Sequence, residues 1–122
     1  MSQRSPLDPN TLAQFMGSEH FYRHSLVREV IYTEGVKYVA DAADAYWLLD
    51  EIALAQRFEG SVKTEAFQVW ELIATPSGSG RLICSDGDGK VAFERRIEWT
   101  DFPAPGVRLY FCNGCVHLPS EY

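Results

Sequence analysis

The hydrophobic pattern of the chain changes its period near residue 65. Before that point, apolar residues recur at the three- and four-residue spacing of helices, most clearly over residues 34–58. After it, apolar and polar residues alternate, as they do in strands with two different faces. The pattern therefore predicts helices in the N-terminal half and a sheet in the C-terminal half.

The first residues predict a short helix behind a loose tail. Asn10 can cap a helix over residues 11–16, and Gly17 would end it. Residues 1–9 carry two prolines and are expected to form the tail. Residues 19–26, EHFYRHSL, satisfy neither period over so short a run, so both helix and strand stay open for them.

A longer helical stretch follows Thr33, over residues 34–58. Thr33 can act as its N-cap, because a threonine hydroxyl accepts a hydrogen bond from a free backbone amide and an acidic residue follows in the first turn. We expect either one bent helix or two helices, with the break near residues 41–44.

The second half predicts about five strands joined mostly by tight turns. Residues 86–89, DGDG, and residues 113–114, Asn-Gly, favour hairpins because both accept the positive φ that such turns require. The strands are expected at residues 66–75, 80–85, 90–99, 107–112 and 115–118. We therefore predict one α+β domain over residues 1–122, in which an antiparallel sheet packs in two layers against helices from the N-terminal half.

The second part of the long helical stretch is apolar on two sides. At 100° per residue, its core stripe comprises Ala45, Leu48, Leu49, Ile52 and Ala55. The opposite side carries Trp47, Leu54 and Phe58, flanked by Asp50 and Glu51. This side is either sandwiched inside the fold or contacts a partner. Large apolar side chains with a charged rim are typical of binding hot spots, so these five residues are the predicted partner-binding surface.

The composition indicates a folded acidic protein with a net charge of −6, most of which arises in residues 34–71. Without a basic patch, binding to nucleic-acid backbones is disfavoured, whereas a basic protein partner is electrostatically permitted. No secretory signal and no run of apolar residues long enough for a membrane span is visible. We therefore expect a cytoplasmic protein with no membrane contact.

The alternative chemistry lies in CNGC, residues 112–115. Two cysteines two residues apart can form half of a zinc site, and they can also act as thiols or as a disulfide across a hairpin turn. A closed zinc site needs further ligands, which could come from Cys84, His117, His20 or His24. Otherwise no cofactor is expected.

Other candidate motifs are weak. Asp86, Gly87 and Asp88 open like a calcium loop, but the later oxygen ligands are missing and a turn is favoured. His20 and His24 have the spacing of a metalloprotease pair without its glutamate in place. No nucleophile elbow, phosphate loop or dinucleotide fingerprint is present, so we predict no catalytic residues.

Residues 98–103 (EWTDFP) and, most specifically, residues 35–38 (GVKY), 46–50 (YWLLD) and 118–122 (LPSEY) are distinctive stretches of the chain. Together they resemble a small bacterial family, domain of unknown function 6876, and the resemblance extends from about Leu12 to Tyr122. It implies a single-domain cytoplasmic protein, in some cases carried on mobile elements, and it assigns no activity, cofactor or substrate.

These observations predict a non-enzymatic protein-interaction module that binds a protein partner or a second copy of itself. A narrower variant, from the charge and from the mobile-element resemblance, is an inhibitor that occupies the nucleic-acid groove of a host defence enzyme. The alternative is a zinc-binding or thiol-dependent protein built on Cys112 and Cys115.

Overall fold

A computed structural model describes residues 20–122 and shows an α+β fold in which helices pack on one face of a sheet. The predicted helix over residues 11–16 and the predicted tail lie outside the described residues. The elements are, in chain order, β1 (Phe21–Arg23), β2 (Ile31–Thr33), α1 (Glu34–Ala43), α2 (Tyr46–Phe58), α3 (Gly60–Lys63), β3 (Phe67–Ala74), β4 (Gly80–Ser85), β5 (Val91–Ile97), β6 (Gly106–Cys112), β7 (Cys115–His117) and a final 3₁₀ turn (Pro119–Glu121).

Within residues 20–122 the sheet is mixed and has seven strands in the order β1-β2-β7-β6-β3-β4-β5, so the prediction of about five antiparallel strands was wrong in strand number and direction. The five predicted strands do form an antiparallel ladder. The two additional strands come from the N-terminal half, and β2 runs parallel to β7, with Ile31 opposite Cys115. Each additional strand has three residues, which is too short to show a period of two in the sequence.

The long helical stretch is divided into two helices, as its sequence allowed. The Thr33 hydroxyl accepts a hydrogen bond from the Val36 amide at 3.2 Å and caps α1. Asp44 ends α1 in the left-handed conformation with a φ of 54°, a conformation that aspartate tolerates better than most residues. All five residues of the predicted core stripe of α2 are buried. In residues 33–58, the structure therefore shows the helix cap, the break between the helices and the core stripe that the sequence predicts.

The two faces of the sheet differ sharply. On β3, the side chains of Gln68, Trp70, Leu72 and Ala74 are buried under the helices, while the alternate residues are half-buried on the open face. The open face carries ion pairs such as Glu71 with Arg108 and Arg81 with Glu94, a pattern typical of a solvated sheet surface. None of the helices in residues 20–122 has the length and apolar character needed to cross a membrane.

A buried amide pair joins α2 to β3. Gln68 is 1% exposed, and its side chain exchanges two hydrogen bonds with that of Gln56, at 2.7 and 3.0 Å. The Gln68 amide nitrogen also donates to the Val62 carbonyl of α3 at 3.0 Å, and its oxygen accepts from the Trp70 indole at 2.8 Å. Since an unsatisfied buried amide is costly, this network fixes the position and rotation of the helices on the sheet.

The C-terminal 3₁₀ turn packs against the start of α1. One oxygen of the Glu121 carboxylate accepts hydrogen bonds from the Thr33 hydroxyl at 2.7 Å and from the Leu118 amide at 2.8 Å. A Cβ added to Gly35 would lie 2.7 Å from Leu118 Cδ1 and 2.8 Å from Glu121 Oε2. The C-terminal turn therefore packs so closely on α1 that a side chain at position 35 would have to displace Leu118 and Glu121.

We predict that Gly35→Ala lowers the free energy of unfolding by about 1–2 kcal/mol. Overpacking against the buried Leu118 costs about 1–3 kcal/mol, and the higher helix propensity of alanine offsets part of this loss. Gly60→Ala is the matched control, because nothing lies within 4 Å of a Cβ at that position. Urea unfolding of both variants checks the prediction. If Gly35→Ala were as stable as Gly60→Ala, the C-terminal turn would not pack on α1.

Candidate functional site

The second apolar face of α2 remains open to solvent within residues 20–122. Phe58 is 73% exposed and Leu54 is 39% exposed, whereas Trp47 is half-buried and packs against the core. The sandwiched interpretation thus applies to Trp47 in part and does not apply to the other two residues. An exposed phenylalanine next to other apolar groups is typical of an interaction surface.

The rotation of α2 explains why these residues point outward. Gln56, which is bound to the sheet, lies about 180° around the helix from Trp47, at about 100° per residue. Leu54 and Phe58 lie within about 20° of the Trp47 direction by the same spacing. The amide pair with Gln68 thereby holds the predicted face away from the sheet.

The two predicted rim acids of α2 make contacts within the chain. The Asp50 carboxylate contacts Nε2 of His24 at 2.7 Å, and the Glu51 carboxylate lies 3.4 Å from Nε of Arg95 on β5. The two acids point about 100° apart around the helix, as adjacent helical residues do. Each ties α2 to a different part of the fold, and neither is a free charge on the rim.

His24 has a structural role. It is 4% exposed, and its Nδ1 accepts hydrogen bonds from the backbone amides of Leu26 at 3.1 Å and Val27 at 3.0 Å. Because both amides can only donate, Nδ1 carries no proton, and Nε2 donates its proton to Asp50. Neither nitrogen is left to accept a proton from a substrate. His20 precedes β1 and His24 follows it, so the helical spacing suggested by the sequence does not apply.

A groove runs between α2 and β5. The α2–β5 groove is defined here by Trp47, Leu54 and Phe58 on the helix, Phe93 and Ile97 on the strand, and Trp99 just beyond it. The Glu51–Arg95 contact crosses it and divides it into two depressions. One, of about 210 Å³, is lined by Leu54, Phe58 and Phe93 with their neighbours. The other, of about 340 Å³, is lined by Asp44, Trp47, Ile97, Trp99, Thr100 and Asp101, and we call it the tryptophan pocket.

The β5 strand forms one edge of the sheet. Within residues 20–122 it pairs with β4 alone, so its other backbone side has no strand partner. The Ser61 hydroxyl donates to the Ala92 carbonyl at 2.7 Å and covers the start of this edge. The rest of this edge adjoins the groove, because side chains of β5 line it together with those of α2. Such an arrangement can accept an extended segment of another chain.

Of the predicted zinc ligands, Cys112, Cys115 and His117 line one depression, whereas Cys84 is separated from them. Cys112 and Cys115 lie directly opposite each other across the turn at Asn113 and Gly114, whose φ angles are 54° and 77°. Cys84 is fully buried on the helix-covered face, whereas Cys112 and Cys115 lie on the other face. No group of three or more His, Cys, Asp or Glu side chains within residues 20–122 could hold a metal ion. The structure thus brings His117 near the Cys112–Cys115 pair and leaves Cys84 on the opposite face of the sheet.

The thiols of Cys115 and Cys84 are less acidic than a free cysteine. Burial, with smaller contributions from the Glu121 and Cys112 charges, raises the pKa of Cys115 from 9.0 to about 11. Burial likewise raises the pKa of Cys84 to about 12. Both thiols are therefore protonated near neutral pH, whereas a nucleophile, redox centre or zinc ligand needs the thiolate.

The aspartate-rich segment at residues 86–89 forms the favoured turn. One oxygen of the Asp86 carboxylate accepts hydrogen bonds from the amides of Asp88 and Lys90, each at 2.8 Å, and Gly89 has a φ of 90°. These contacts explain the aspartate at position 86 without a bound cation.

Three residues that line the tryptophan pocket were not among the predicted site residues. Trp99 was assigned to a strand, but it lies beyond the end of β5 and is 69% exposed. Asp44 was not predicted as a site residue because it is distant from Trp99 in the sequence, and Asp101, two residues after Trp99, lies outside every predicted strand. The sequence signal that could have indicated this pocket is the occurrence of tryptophan with aspartate in residues 46–50 (YWLLD) and 98–103 (EWTDFP).

We predict that Cys115 reacts about a hundredfold more slowly with iodoacetamide at pH 8 in the native protein than in urea. The rise in its pKa from 9.0 to about 11 lowers the thiolate fraction by that factor, and the rate should increase as the pH approaches 11. Peptide mass spectrometry after timed labelling reports each cysteine separately. Equal native and denatured rates at Cys115 would contradict the assigned environment.

The comparisons with known proteins give one match. A family model described as a family of unknown function, DUF6876, matches residues 8–122. No curated protein and no solved structure matches the chain.

Proposed function

Since the chain belongs to the DUF6876 family, whose description assigns no function, we propose its function from its own surface. The protein is a non-enzymatic interaction module that binds a protein partner through the α2–β5 groove. The proposal keeps Trp47, Leu54 and Phe58 as contact residues. It assigns Asp50 and Glu51 to holding the helix that presents them.

The exposure of Phe58 is the observation that carries this proposal. A side chain of that size that is 73% exposed on a helix contributes little to folding, yet it lies beside Leu54 and a strand edge. Burial of these groups against a partner contributes favourable free energy to binding, because folding leaves their apolar surface exposed. The strand edge adds unpaired backbone groups that can be satisfied in the same event.

The state of the chemically active side chains supports a binding function. The His24 imidazole is saturated by two backbone amides and Asp50, and two of the three thiols have raised pKa values. Neither arrangement prepares a base or a nucleophile for a substrate.

The narrower proposal of an inhibitor that occupies a nucleic-acid groove rests on the net charge of −6. It predicts a partner whose contact surface is basic. The zinc or thiol alternative stays a prediction and is limited to the Cys112–Cys115 pair.

We predict that Phe58→Ser abolishes specific retention of the partner. The immobilised protein is exposed to a lysate of cells that carry its gene, and proteins retained in stoichiometric amount are quantified. Loss of one exposed phenylalanine should change the free energy of unfolding by less than about 0.5 kcal/mol, so the variant stays folded. It should weaken binding at least tenfold, because loss of an aromatic hot-spot side chain costs about 2 kcal/mol or more at an interface, and tenfold corresponds to about 1.4 kcal/mol.

Leu26→Ser is the matched control for this experiment. Leu26 is 67% exposed and lies outside the groove, so its replacement removes a comparable apolar group from elsewhere on the surface. A partner that is lost with both variants, or with neither, would refute the proposed face. Sedimentation of the purified protein identifies the case of a second copy, which requires a wild-type dimer and a Phe58→Ser monomer.

A further inference from the structure

The tryptophan pocket has a composition that selects one kind of side chain. Trp47 and Trp99 contribute indole rings, Asp44 and Asp101 contribute carboxylates, and no basic residue lines it. Within residues 20–122, neither carboxylate has a hydrogen-bond or ion-pair partner, and both residues are exposed. A pocket lined by two unpaired acids and two aromatic rings attracts a cation with an apolar stem.

The fold holds Trp99 in place for such a contact. Its indole edge packs on Gly78, where an added Cβ would lie 3.2 Å from Nε1, and the Thr100 amide donates to the Gly78 carbonyl at 2.7 Å. The ring is thus fixed at its edge while 69% of the residue remains exposed. A tryptophan that is positioned but uncovered is suited to stacking against a planar group.

We propose that the tryptophan pocket binds an arginine side chain of the partner protein, which gives the proposed interface a basic anchor. This inference rests on the proposed function of the α2–β5 groove and adds the residue type that it recognises. The guanidinium stacks on an indole face and its N–H groups donate to Asp44 and Asp101. Arginine fits better than lysine because its planar charge both stacks and donates in two directions.

Charge complementarity supports an arginine over an apolar anchor. The pocket offers two uncompensated negative charges, and the whole chain carries −6. The second depression differs, because Glu51 is already paired there with Arg95. The groove therefore has an apolar end for an apolar side chain and an acidic, aromatic end for a basic one.

The test is an NMR titration with the peptide acetyl-Ala-Arg-Ala-amide. The three tryptophans provide separate indole N–H signals, and Trp70, which is 1% exposed and donates to Gln68, serves as an internal control. We expect the Trp47 and Trp99 signals to shift at millimolar peptide while the Trp70 signal stays fixed. The isosteric citrulline peptide, which lacks the charge, should give no shift.

Variants separate the pocket from the general acidity of the protein. Asp101→Asn and Asp44→Asn should each weaken the arginine peptide by about two- to fivefold, the range of a partly exposed charge pair. Trp99→Leu should weaken it by about tenfold. Asp88→Asn removes one exposed charge on a distant turn and should leave the affinity unchanged.

The outcomes discriminate between the two proposals. No shift with the arginine peptide, an equal shift with citrulline, or an equal loss with Asp88→Asn overturns the arginine pocket. In that case, partner retention that still depends on Phe58 would leave the proposed function intact. Conversely, arginine binding at the pocket together with retention indifferent to Phe58→Ser supports the pocket and refutes the proposed contact face.

Discussion

The rotation of α2 on the sheet depends on the buried amide pair of Gln56 and Gln68. Both hydrogen bonds of the pair form only when Gln56 points at β3, and a Gln68 that is 1% exposed has no water to replace them. Once Gln56 is directed inward, the helical repeat turns Trp47, Leu54 and Phe58 outward. The exposed apolar face is therefore a consequence of the core and not an independent surface feature.

Polar contacts on both flanks hold the same orientation. Asp50 reaches His24 on one side, and Glu51 reaches Arg95 on the other. With these contacts the helix cannot rotate to hide its second apolar face without breaking buried or half-buried interactions. The acids that a sequence pattern assigns to a binding rim thus serve to keep the contact residues presented, while free charge appears at Asp44 and Asp101 instead.

The sequence was informative wherever a local rule decides the structure. The cap at Thr33, the break at Asp44 and the turns at residues 86–89 and 113–114 depend on backbone geometry that neighbouring residues set. The short strands β1 and β2 did not follow from the pattern, because β2 exists through its parallel pairing with β7, which is distant in the chain. For the site, helical spacing correctly grouped Trp47, Leu54 and Phe58. Helical spacing could not show which residues lie across the groove from α2. Trp99, Asp101 and the contact between Glu51 and Arg95 were therefore not predicted.

The proposal that the α2–β5 groove contacts the partner can be tested by hydrogen–deuterium exchange of the protein with and without its captured partner. This measurement maps the contact without any substitution. We expect slower exchange on binding in two segments. One comprises the outward amides of β5 and the backbone that follows it, residues 91–101, and the other is α2, residues 46–58. Protection confined to the open face of the sheet, around Phe67 and Tyr110, would contradict the proposal and assign the interface to the opposite side of the molecule.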